Sequence, residues 1–377
     1  MWRRFLTLAV GLLPILGAQE RRGRIDVEHY LIEAEIQPRT QSLSATAAVR
    51  FTPLDDNLTS AVFELHNSLS VSKIVDSGGK QIPASTSAQD FTRRLTFDEP
   101  LKRSQPATVT FTYDGRLTGN EESPVYGIKF ASIQNDSAYL LYPGRWFPVS
   151  GYTADRFSAE LRISVPAGYR VLASGVETRE TAADKTIYTF KFERSSFPGS
   201  LAVVREQATP VSSGGVTTQV YFRSAGKEVV HPYGEETGKI VSHFTSLFGL
   251  PPYANLALIE TESGAPNGYS APGLVFLSPR GIGKQPNTKL LANQISRQWW
   301  ETLVSPASRN HLWLSQGLAN YSELLYLEHS SGPGARDTEL RDTMVEALTV
   351  DNVPIVQASR LEDYAPELWA LVSSKGA

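Results

Sequence analysis

The residues of this 377-residue chain best spaced for joint chemistry are Asn293, Gln294, Arg297 and Gln316. The first three fall within one helical turn, and Gln316 follows 19 residues after Arg297. Their side chains are three carboxamides and one guanidinium. Carboxamides donate and accept hydrogen bonds without taking a proton, and a guanidinium stays charged. The set therefore offers recognition and hydrogen bonding but neither a general base nor a nucleophile. Zinc asks for about three His, Cys or carboxylate ligands. The chain has no Cys, and no two of its six His lie four residues apart. His311, next to the hairpin loop, is the one His placed to approach these residues. His243, beside an apolar helical stripe, reads as a packed side chain. There is no G-x-S-x-G elbow, phosphate loop or dinucleotide fingerprint.

Two helices must position these groups. One is predicted from Thr288 to Val304, with Asn287 as its N-cap and Leu291, Ile295, Trp299 and Leu303 as its apolar stripe. Asn293 and Arg297 fall on a different face, with Gln294 beside them. The second begins near Leu314 or Ser315, with Gln316 at its start and Leu318, Tyr321 and Leu325 on its buried side. Glu301, four residues after Arg297, is placed to pair with it.

This hairpin resembles the active-site hairpin of the membrane alanyl aminopeptidase family of zinc metallopeptidases, the gluzincins. That family carries H-E-x-x-H, eighteen residues, then Glu, among aromatic neighbours. Gln298, Trp299, Trp300, Leu312, Trp313, Leu314, Gly317, Ala319 and Tyr321 match its scaffold, as does the distance from Arg297 to Gln316. The resemblance assigns Asn293, Arg297 and Gln316 to the three zinc-ligand positions and Gln294 to the general base. All four chemical residues are replaced, so neither zinc nor another cofactor is expected. A cation at position 297 opposes a dication directly: at 4 Å and an effective dielectric near 20 the repulsion is about 8 kcal/mol. Arg297 then has two readings, filling part of the metal space while pairing locally, or pointing to solvent.

Two further landmarks follow from the resemblance. Ser270, in Asn267–Leu274, falls where the family places a Glu that holds the substrate's amino terminus. Ser373 falls where the family has a Tyr whose hydroxyl steadies the tetrahedral intermediate. The family continues past Lys375-Gly376-Ala377 with a helical domain, so the lobe is expected to be incomplete and to expose apolar surface.

Elsewhere the sequence alternates. Leu43, Ala45, Ala47, Val49 and Phe51 follow period two, as do Val109, Phe111 and Tyr113, Phe157 through Val165, and Tyr188, Phe190 and Phe192, with a turn at Asp76–Gly79. The expected fold is α+β: an N-terminal antiparallel β saddle or sandwich at 19–225, then a truncated thermolysin-like mixed α/β lobe at 226–377. Residues 1–18, with Arg3, Arg4 and the apolar run Phe5–Leu16, read as a signal peptide, which implies an exported protein, periplasmic or secreted. No later segment reads as membrane-spanning. A net charge of −3 gives no hint of nucleic-acid binding. The function that fits is an exported pseudopeptidase that binds peptides or proteins in a cleft. The alternatives are an active metallo-aminopeptidase with unorthodox ligands and a non-functional fragment.

Overall fold

A computed structural model describes residues 24–125, 127–150, 155–182, 184–253 and 255–377. The leader reading at 1–18 lies outside them. The alternating segments form a seven-stranded sheet in the order 176–181, 185–196, 157–166, 25–37, 42–53, 107–116, 69–76. Along Ser42–Pro53, Leu43, Ala45, Ala47, Val49 and Phe51 are all buried while their neighbours are not, as a sheet with one wet face requires. A three-stranded sheet, 58–64, 92–101 and 84–87, packs over part of it. The turn at Asp76 is an Asx turn: the Asp76 carboxylate accepts from the N–H groups of Gly78 and Lys80 at 2.8 and 2.9 Å. One pairing departs from the antiparallel expectation. Ile25–Gln37 runs parallel to Phe157–Pro166, which a crossover of about 120 residues makes possible.

A four-stranded sheet (170–173, 201–204, 138–140, 131–133) joins the two halves of the molecule. Its Tyr139, Leu141, Leu172 and Val204 share one apolar cluster with Tyr221, Ile259, Leu274 and Phe276 of the next sheet. That next sheet has five strands, 209–213, 216–221, 255–260, 274–277 and 268–271. Thr209–Ser213 and Val216–Tyr221 thus share one sheet with strands that follow residue 225. The parallel pairing of Val216–Tyr221 with Asn255–Glu260 decides this, and strand alternation alone does not reveal a strand's partner.

Helix α1, Lys227–Phe248, packs on this sheet. Its last turn closes at Gly249, whose φ of 87° suits a residue without a Cβ. Helix α2 spans Thr288–Trp300, α3 Trp313–Ser331 and α4 Pro333–Leu348. The end of the chain forms turns over 355–374 around Leu312, Val350, Leu368 and Leu371. Leu340, Met344, Val345, Leu348, Val356 and Trp369 of this region are exposed. No helix among the described residues is long and apolar enough to cross a membrane.

Candidate functional site: the helix hairpin

Helix α2 is capped as its sequence implies, with the Asn287 Oδ1 accepting from the Leu290 N–H at 3.2 Å. It ends at Trp300, one turn earlier than expected, because Glu301 leaves helical geometry (φ −141°). Leu303 therefore falls off the apolar stripe and is 47% exposed. Leu291, Ala292, Ile295 and Trp299 bury the core face. Trp299 also donates from Nε1 to the Gly249 carbonyl at 3.1 Å, and Trp300 to the Ser322 hydroxyl at 2.8 Å. These bonds fix the aromatic pair against α1 and α3.

On α3 the buried set is Ser315, Gly317, Ala319, Ser322, Glu323, Leu324 and Tyr326. Tyr321, expected inside, is 46% exposed, and Leu318 and Leu325 are half-buried. The face turned toward α2 is instead made of small and polar residues, because α2 and the C-terminal segment approach closely there. A Cβ on Gly317 would stand 2.5 Å from the backbone carbon of Gly376, so only glycine fits at this crossing.

Between the helices lies a chain of polar contacts. Asn293 and Gln294 are buried, and the Arg297 side chain is only 15% exposed. Arg297 donates from Nη2 to the Gln316 Oε1 at 2.8 Å and from Nε to the Asn293 Oδ1 at 3.3 Å. Its Nη1 reaches the Glu301 carboxylate at 3.4 Å. The guanidinium thus bridges positions 293 and 316 rather than pointing to solvent. Gln294 donates to the same Asn293 oxygen at 3.1 Å. The Asn293 amide group donates onward to Asn320 at 2.8 Å and to Glu323 at 3.2 Å. Glu323 pairs with Lys289 at 3.6 Å, and Lys289 with Glu339 of α4. At the other end Glu301 meets Arg156, from the N-terminal half, at 3.6 Å.

Asn320, Glu323 and Arg156 are site residues that the sequence reading missed. For the first two a signal existed: they lie four and seven residues after Gln316, on one helical face. Arg156 has no such signal, since tertiary packing alone brings it here. Burial foremost raises the Glu323 carboxyl to a pKa of about 7, against the opposing effects of Lys289 and the Asn293 hydrogen bond.

Ser270 lies on the strand Gly268–Ala271 that crosses α2. A Cβ on Gly268 would stand 2.8 Å from the Gln294 side chain, which places this strand directly against the site. Buried Gln298 holds it there. Its Nε2 donates to the Ser270 hydroxyl at 3.1 Å and the Ala271 carbonyl at 3.0 Å, and its Oε1 accepts from the Gly273 N–H at 2.9 Å. Ser373 is half-buried in the Ala370–Ser374 turn, on the segment that meets α3 at Gly317. Its neighbour Ser374 donates to Glu346 at 2.6 Å. His311 stands apart, exposed and bonded to the Ser308 hydroxyl at 2.9 Å. His243 packs between Tyr326 and His329.

The side chains at the hairpin do not fit a zinc ion. The Arg297 cation occupies the junction of positions 293 and 316, and both carboxamide oxygens there already accept from it. Among the described residues no three His, Cys, Asp or Glu converge in a metal-binding group.

No family model matches the sequence. Curated relatives do. A "Putative aminopeptidase-2" of Caenorhabditis elegans is 22% identical over 286 residues, 66% of this chain and 15% of the relative. "Leucine aminopeptidase 2" of Candida glabrata is 24% identical over 211 residues, 55% of this chain and 31% of the relative. "Aminopeptidase N" of Mus musculus is 30% identical over 133 residues, 32% of this chain and 14% of the relative. The matches thus span less than a third of these relatives' lengths. Among solved structures, an M1 zinc metallopeptidase from Deinococcus radiodurans superposes with a TM-score of 0.69 at 19% identity, covering 94% of this chain and 81% of that one. A mutant of that enzyme bound to a Tyr-Ser-Ala substrate superposes with a TM-score of 0.68. At such identity the likeness to the solved structures establishes the fold, and the aminopeptidase relatives agree with it: the chain is similar in fold and in sequence to the M1 aminopeptidases.

Proposed function

We propose that this chain is a pseudopeptidase: an M1-family protein without zinc or peptidase activity that is exported and binds peptides or protein segments in its cleft. The observation that carries the reading is the Arg297 guanidinium, bonded at once to Asn293 and Gln316. A side-chain cation there takes up lone pairs that a metal would need and repels a second positive charge. The exchange of a candidate general base for Gln294 removes the group that would activate water. The Ser270 hydroxyl offers no charge to hold an ammonium, and the Ser373 hydroxyl ends several ångströms short of a tyrosine's. Export rests on the Arg3-Arg4 and Phe5–Leu16 pattern. Peptide binding draws support from the shared fold with a Deinococcus enzyme whose mutant binds Tyr-Ser-Ala.

The test has two arms. Protein purified without chelators is assayed for metal content, and alanyl and leucyl reporter substrates are offered with and without added zinc. The expected outcome is far less than one zinc per chain and no turnover above background. Close to one zinc per chain with chelator-sensitive turnover would overturn the reading and favour an active enzyme with unorthodox ligands.

A further inference from the structure

We propose that the N-terminal sandwich carries a binding site for a compact oxyanion (a phosphate, sulfate or carboxylate group) centred on Arg93, far in sequence from the helix hairpin. The strand Thr92–Leu101 alternates, and Arg93 and Leu95 both turn inward. Arg93 therefore stands in the row of core side chains, directly across from Phe63 on one neighbouring strand and Thr86 on the other. Pattern alone puts an apolar residue at such a position. Arg93 is nonetheless only 6% exposed.

A buried guanidinium needs a partner, because it does not discharge and its desolvation is costly. Arg93 lacks one among the described residues. Its only hydrogen bond runs from Nη1 to the carbonyl of its own neighbour, Thr92, at 3.2 Å. No carboxylate among the described residues forms an ion pair with it, and burial lowers its pKa. Nε and Nη2 are left without a protein acceptor.

What Arg93 faces instead is a cavity of about 350 Å³ at the mouth of the sandwich. The cavity opens between two edge strands, Leu69–Asp76 of the large sheet and Ala84–Ser87 of the small one. A register shift between Val71 and Lys73 bends the first edge at this point. Lys73 adds a second cation to the wall, and Ser70, Thr86 and Gln81 add neutral polar groups. No Asp or Glu lines it. Two cations, hydrogen-bond donors and no acidic residue suit an oxyanion, whose oxygens can take the free Nε–H and Nη2–H of Arg93 as a pair. The volume suits a small anion or the charged end of a small molecule.

The experiment uses the full chain. Thermal unfolding is followed while inorganic phosphate, sulfate or succinate is titrated against sodium chloride at equal ionic strength, and calorimetry supplies the affinity. At least one oxyanion raises the midpoint saturably with one site per chain, and comparison of the three separates tetrahedral from carboxylate recognition. Arg93→Gln weakens that affinity by on the order of 30-fold and Lys73→Met by about tenfold, as loss of a charged hydrogen bond implies. Arg93→Lys restores only part, because an ammonium keeps the charge but not the paired geometry. The proposal fails if no oxyanion outperforms chloride, or if the variants bind as tightly as the parent. Should Arg93→Gln not fold, Lys73→Met, whose side chain is exposed, and Thr86→Val decide the matter on folded protein.

Discussion

Replacing Glu323 by Gln should remove a pH dependence of stability that the fold builds in. The carboxyl has a value of 4.5 in an exposed chain and about 7 in the fold, where it is 8% exposed. A folded value above the unfolded one means that its stabilising contribution is complete below about pH 4.5. That contribution is lost as pH rises through 7, because the ionised form is the one the buried site disfavours. A difference from 4.5 to about 7 corresponds to about 3 kcal/mol between pH 4 and pH 9. Lys289, 3.6 Å away, limits the loss, and Glu339 beyond it adds to it. The assay is urea unfolding of parent and Glu323→Gln from pH 5 to 9. The Gln variant keeps an oxygen to accept from Asn293 and cannot ionise, so its stability should fall less across that range, by roughly 2–3 kcal/mol. Asp155, also raised to about 7 by burial, imposes a slope of the same sign on both proteins and cancels in the difference. Identical slopes for the two proteins would refute the reasoning, since they would mean that Glu323 titrates alike folded and unfolded.

Two further outcomes follow from the hairpin. Gly317→Ala should destabilise by about 2 kcal/mol or more and loosen the last turns, because its Cβ would press on the Gly376 backbone at 2.5 Å; limited proteolysis near residue 370 reads this out, and an unchanged cleavage rate would contradict the contact. The combined change Asn293→His, Gln294→Glu, Arg297→His and Gln316→Glu should create zinc binding, with Glu323 already 3.2 Å from the side chain at 293. Turnover by that variant should stay about 10²–10³ below what an added tyrosine at 373 would permit, as loss of one oxyanion donor implies; a folded quadruple variant that takes up no zinc would show the family register to be wrong.

Much of the architecture was legible because burial repeats along the chain with a fixed period. Leu43 through Phe51 alternate in sequence and alternate in burial, and the cap at Asn287 and the stop at Gly249 rest on local chemistry. The hairpin too could be read locally: aromatic spacing located it, and the two helices it implied are present as Thr288–Trp300 and Trp313–Ser331. Periodicity says which residues share a face. It does not say what covers that face, and there the tertiary structure decided. The sequence left Arg297 between solvent and the space between the helices, and the approach of Gln316 at 2.8 Å settled it. Tyr321 looked like core by spacing, yet the close crossing at Gly317 and Gly376 turned small and polar residues inward and left it exposed. The strands 209–213 and 216–221 alternate like those before them, and only the pairing of 216–221 with 255–260 on one side and 209–213 on the other places both in the five-stranded sheet. Arg93 reads as one more charge in a strand until the two edges beside it close a cavity around it. In each case the deciding contact joins segments distant in sequence, where no local propensity reaches.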